Sequence, residues 1–353
     1  MMVRMRRFKT NWVTMLTLSF LLSGNILHGL YYSSGNPAVS FICISVFLAL
    51  FTFLASKYFV SGVNISEKGY SRFFSVSAVA FAAIPLAYTV AVYTRMLGSF
   101  AGYYSTVQVT VFAVFSAVIT GICAARKGVI ALSGFARMTV YVMLVWILAG
   151  YFGFFHTKNI VPLQSVSDGV RGVDFVYIMK NAVLITVDTV FLFVVLTDNR
   201  TGEEKIRISH SALVGVWIYI AVSGINMLKN LLMFGKDFLV RLDNPDLAAI
   251  RLIPMFELPE ISVVVNTFAV TVRVAVYLCA LFYMLKDSFG EAYCTKKTEA
   301  VCFFAVSGTA LAFLYFKNKL TFVTLVIPCI VMCALICAAF FSKRKKDKSC
   351  DRM

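Results

Sequence analysis

Two residues stand where their chemistry is costly. Asp188 falls near the middle of an apolar run at roughly 174–197, and Arg273 near the middle of another at roughly 262–285. An ionised aspartate in hydrocarbon needs a cation, a water-filled cavity or a proton. Arginine stays charged and offers a planar fork suited to a carboxylate. Two readings are open for the pair. It could be structural, fixing one run against the other, or it could line a polar cavity and contact a ligand or a proton. Asp188 is the only carboxylate deep in any such run. Four other basic residues lie within runs. Arg95, Lys180 and Lys229 sit toward run ends, from which a long side chain can snorkel to water. Arg137 suits either snorkelling or a structural role.

Smaller polar groups add to the candidates. Ser23-Gly24-Asn25 interrupts the first apolar run. Glycine and asparagine weaken a helix and let its backbone open, and broken helices expose amides and carbonyls that hold substrate at the membrane midplane. A small residue at a helix crossing is the other reading. Tyr88, Tyr93, Asn266, Thr267 and Thr271 supply further polar side chains; Thr267 and Thr271 share a helical face at i, i+4. Residues of this kind also bond their own helix backbone.

Soluble-enzyme constellations are missing from the sequence. His28, His156 and His210 are scattered, with no pair at metal spacing. There is no GxGxxG, P-loop or G-x-S-x-G. Cys329, Cys333 and Cys337 stand four apart, a spacing that fits a small-residue packing seam better than a thiolate site with no histidine nearby. No outer-loop cysteine pair offers a disulfide. No enzyme, metal or cofactor is expected.

The elements that carry these residues follow from composition. Of 353 residues, 60% are hydrophobic and only 14% charged, which excludes an ordinary soluble domain. The apolar runs are continuous rather than alternating, which excludes a β-barrel. With about 20 residues needed per crossing, ten spans are expected: roughly 11–31, 37–56, 73–97, 104–123, 129–155, 174–197, 209–234, 262–285, 298–316 and 320–342. The expected domain plan is a cytoplasmic basic segment at 1–10, one membrane domain at 11–342 and a basic cytoplasmic tail at 343–353. The N-terminal run reads as a span rather than a cleaved leader, since no small-x-small cleavage site follows it.

Orientation comes from lysine and arginine. With the N-terminus inside, inner segments carry about three times as many as outer loops, which places both termini in the cytoplasm. The net charge of +16 is then a topology signal with anionic-lipid contact, not a nucleic-acid footprint. The outer segment 236–261 mixes charges with Leu247, Ile250 and Leu252 at helical spacing. It could lie on the membrane or a partner as an amphipathic helix, or pack down as a lid.

Several stretches resemble one family. Ala125-Arg126-Lys127-Gly128 followed by Gly134-Phe135-Ala136-Arg137 is similar to the loop and start of the fifth span in the endospore germination permease-like family. That family supplies the B subunits of nutrient germinant receptors and belongs to the amino acid–polyamine–organocation superfamily. Asn159-Ile160-Val161-Pro162-Leu163, with Gly169 and Gly172, resembles its outer loop before the sixth span. Asp188, ten residues before Asp198-Asn199-Arg200, matches the position of the family's sixth-span acid. Phe234-Gly235, Asn244-Pro245 and Ile250-Arg251 resemble its long outer segment. Val272-Arg273-Val274 with Tyr277-Leu278 resembles the end of its eighth span. The similarity runs from about 124 to 286. Val187 replaces the glycine often found before the acid, and Phe268 lies near where a tryptophan is expected.

The resemblance implies two inverted five-helix repeats, about 11–155 and 174–342, in the LeuT-like arrangement, with the first and sixth spans interrupted. It groups Ser23, Gly24, Asn25, Tyr88, Asp188, Thr267 and Thr271 as ligand-binding residues around one midplane cavity, beside the Asp188–Arg273 charge pair. It further implies a subunit that senses a small nutrient, most simply an amino acid, in the inner membrane of a spore. Its partners would be a larger receptor membrane subunit and a lipoprotein. A proton- or sodium-coupled amino acid transporter of the bacterial cell membrane is the alternative.

Overall fold

The computed structural model describes residues 10–28, 36–60, 89, 118–156, 175–197, 202–239, 241–242, 245–252 and 259–289. Within these the chain is helical: α1 (Thr10–His28), α2 (Pro37–Val60), α3 (Gly128–His156), α4 (Phe175–Thr197), α5 (Gly202–Phe234), α6 (Lys236–Leu239), α7 (Pro245–Arg251) and α8 (Pro259–Phe289). Five of them, α2, α3, α4, α5 and α8, are long and apolar enough to cross a membrane. Among the described residues every element is a helix, and the chain is a polytopic membrane protein. The expected spans at 298–316 and 320–342, all of 73–97 but residue 89, and most of 104–123 lie outside the described residues.

Local chemistry sets several helix ends. Asn36 caps α2, its Oδ1 accepting from the Val39 amide at 3.3 Å, with Pro37 in the first helical position where no amide is needed. Gly128 (φ 78°) opens α3 after the helical stretch ending at 126, and Gly235 (φ 70°) closes α5 by donating to the Leu231 carbonyl at 2.8 Å. Both occupy left-handed backbone that a side chain disfavours. α5 begins seven residues before the expected 209, because Glu203, Glu204, Lys205 and Arg207 extend the helix beyond its apolar run. Hydropathy measures the oily part of a helix, not its length.

Burial distinguishes centre from periphery. In the apolar windows of α4 and α8, 78% of residues are buried, against 33% in α2 and 39% in α3. α1 packs against α3, α5 and α8, and α8 also packs on α4. Phe20, Phe191, Phe193, Tyr219 and Tyr277 fill the space where these helices meet. α2 and α3 instead present Val46, Leu50, Val145, Leu148 and Phe152 outward, as lipid-facing helices do.

Candidate functional site

Asp188 of α4 and Arg273 of α8 form an ion pair. The Arg273 Nη2 lies 2.9 Å from both Asp188 carboxylate oxygens, and the two residues are 3% and 1% exposed. Tyr277, one turn along α8, donates its hydroxyl to Asp188 Oδ1. It also lies 3.2 Å from Arg273 Nη2, so each member of the triad touches the other two. Nη1 reaches across to α1, where the Phe20 carbonyl accepts at 3.4 Å. The guanidinium carbon lies 5.0 Å from the Phe20 ring centroid and 5.6 Å from that of Tyr277. Phe191 packs edge-on against Tyr277 at 5.4 Å, which completes an aromatic wall around the charges. In such a dry setting the pair is electrostatically strong, and either charge alone would be costly.

Gly24 explains how Arg273 fits. A Cβ at this position would lie 2.5 Å from Arg273 Nη1 and 3.5 Å from Asp188 Oδ2. The glycine therefore leaves room for the guanidinium against α1. The expectation that Ser23-Gly24-Asn25 opens the backbone is corrected: α1 is continuously helical from Thr10 to His28. The Ser23 hydroxyl donates to the Phe20 carbonyl at 2.6 Å, a bond within the helix. α4 is likewise continuous through Val187-Asp188, where a branched side chain stands in place of the more flexible glycine. Gly24→Ala is expected to destabilise the protein by about 1–3 kcal/mol through overpacking, despite alanine's better helix propensity. A thermal melt in mild detergent measures this; an unchanged or higher midpoint would show that the guanidinium yields freely.

The remaining candidates divide. The Asn25 side chain is buried and its Oδ1 has no hydrogen-bond partner among the described residues. Thr267 donates to the Val263 carbonyl and Thr271 to the Thr267 carbonyl, each at 2.7 Å, so both hydroxyls serve their own helix. Asn266 donates to Ser262 Oγ at 3.2 Å. Tyr88, Tyr93 and Arg95 lie outside the described residues.

A second buried polar cluster was not anticipated. Lys229 of α5 does not snorkel: it is 2% exposed, with its Nζ 2.9 Å from Asp246 Oδ1 of α7. Asn226 and Asn230 donate to the same carboxylate at 3.0 and 3.1 Å. Lys229 also lies over the Tyr151 ring of α3, 5.2 Å from its centroid. Burial pushes the Asp246 carboxyl up, but the Lys229 ammonium and the bonds from Lys229, Asn230 and Asn226 outweigh it and hold the group below the usual aspartate range. The described part of segment 236–261 thus packs down on α3, α5 and α8. Ala249 is fully buried, and a Cβ on Gly153 of α3 would run into its carbonyl oxygen. Ile250 packs with Trp146 and Val265. The signal was in the sequence: Asn226, Lys229 and Asn230 recur at i, i+3, i+4 in an otherwise apolar run.

Compared with known proteins, the chain matches no family model and no curated sequence.

Proposed function

We propose that this chain is the membrane subunit of a spore germinant receptor, of the endospore germination permease-like kind, which senses a small nutrient and passes the signal to partner subunits. The observation that carries the reading is the buried Asp188–Arg273–Tyr277 triad where α1, α4 and α8 meet. An amino acid zwitterion carries the two charges that this pair holds together. Its ammonium competes for Asp188 and its carboxylate for Arg273, so binding separates α4 from α8. The closed pair defines a resting arrangement, and the ligand shifts the equilibrium by what it gains from the separated one. Asn25, with an unmet buried acceptor beside Gly24, supplies a further contact. Because α1 is continuous, side chains rather than an opened backbone provide the recognition.

The proposal includes ten spans in two inverted repeats, cytoplasmic termini and residence in the spore inner membrane. A larger membrane subunit and a lipoprotein would relay the change. The tagged protein, purified in mild detergent from sporulating cells, is expected to bring both partners with it by mass spectrometry. Recovery alone, in a monodisperse state, would overturn the receptor reading. The second reading, a proton- or sodium-coupled amino acid transporter, rests on the same buried carboxylate, since acids within membrane spans commonly line ion pathways. It requires gradient-driven amino acid uptake into proteoliposomes that Asp188→Asn abolishes.

A further inference from the structure

One face of α3 combines a basic head with an apolar track. Arg137 is the only charged side chain in this 29-residue helix. It is exposed, and no carboxylate pairs with it among the described residues. Its guanidinium lies over the Tyr141 ring, 5.9 Å from the centroid. From Tyr141 the same face continues outward-facing through Val145, Leu148 and Phe152, the last 70% exposed. These residues border a groove of about 790 Å³ whose other walls are Ile250 of α7 and Ile261, Val264 and Val265 of α8. Trp146 forms its floor.

We infer that this groove is a binding site for an anionic phospholipid, with the phosphate on Arg137 and one acyl chain along α3 between α7 and α8. Two properties select this occupant. An exposed guanidinium on a membrane-crossing helix is stable only near the interface, where it can meet an anion. That places the polar boundary at Arg137 and the groove directly beneath it. From Arg137 to Phe152 the track covers about 22 Å at 1.5 Å per residue, so an acyl chain that follows it passes the midplane of the ~30 Å core. A free phosphate would use the arginine but leave the apolar walls uncovered. A neutral lipid would fill the walls but leave the guanidinium unmatched. The site is independent of the receptor reading and holds equally for a transporter.

Trp146 makes the site testable, because the chain has only 3 tryptophans. A Trp12→Phe, Trp217→Phe variant in lipid nanodiscs isolates its fluorescence. Phosphatidylglycerol with brominated acyl chains, diluted into phosphatidylcholine, is expected to quench Trp146 at least twofold more than brominated phosphatidylcholine at the same mole fraction in phosphatidylglycerol-free discs. Arg137→Gln should remove the difference, and Arg137→Lys, which keeps the charge, should retain most of it. Equal quenching by the two lipids in the Arg137 protein would overturn the site, as would a preference that survives Arg137→Gln.

Discussion

Arg273→Met is expected to cost about 3–5 kcal/mol of stability, because it strands the Asp188 carboxylate in an aromatic enclosure. The Tyr277 hydroxyl remains as its one donor among the described residues, too little for a buried charge. Asp188→Leu should cost a similar amount by stranding the guanidinium. The combination Asp188→Leu, Arg273→Met should be milder than either single change, since removing both charges removes the desolvation cost with the attraction. Detergent melts of the four proteins form the cycle. A double variant that loses the sum of the singles would show that the residues act independently, contrary to the 2.9 Å contacts.

Exchanging the two charges separates a simple pair from a fitted one. A pair that only joins α4 to α8 should tolerate Asp188→Arg, Arg273→Asp. Here the surroundings are built around a guanidinium on α8: the Phe20 carbonyl accepts from it, Gly24 leaves it space and Phe20 stacks beside it. The exchanged protein should therefore remain at least as unstable as the worse single variant. Recovery to the native melting point would reduce the site to a generic ionic tie.

Among the described residues the sequence placed the long apolar helices well, because hydropathy is a local property. The run expected at 174–197 is the helix Phe175–Thr197, and that at 129–155 is Gly128–His156. It also named Asp188 and Arg273, because a charge in hydrocarbon is conspicuous in any sequence. It left their contact open, since pairing depends on helix rotation and approach, which spacing within one helix does not encode. Gly24 was left with two readings, an opened backbone and a close helix crossing. The same missing side chain permits an opened backbone and a close approach, and only the position of Arg273 selects between them. Lys229 was misjudged because its partner comes from the loop. Asp246 reads as one more solvated acid until α7 folds back against α5.

That second pair yields the other large effect. Lys229→Met leaves Asp246 buried with two asparagine donors, and the expected loss is about 3 kcal/mol, the lower end of the range for a broken buried pair. The damage should be local first. α7 is seven residues long and its own helical bonds cannot hold it, so losing the tie should release it from α3. Protease cleavage within 241–252, or faster amide exchange there, would detect the release before global unfolding does. Acid should act on the same tie. The Asp246 carboxyl is held below its ordinary range, so its contribution to stability is present above pH of about 4 and is lost as pH falls through the depressed value. The latch therefore stays shut at neutral and mildly acidic pH, and the gap in melting temperature between the native protein and Lys229→Met, Asp246→Leu should narrow only below about pH 4. A gap already closing between pH 7 and 5 would mean that another group controls α7; a gap unchanged down to pH 3 would mean that Asp246 contributes by packing rather than by charge.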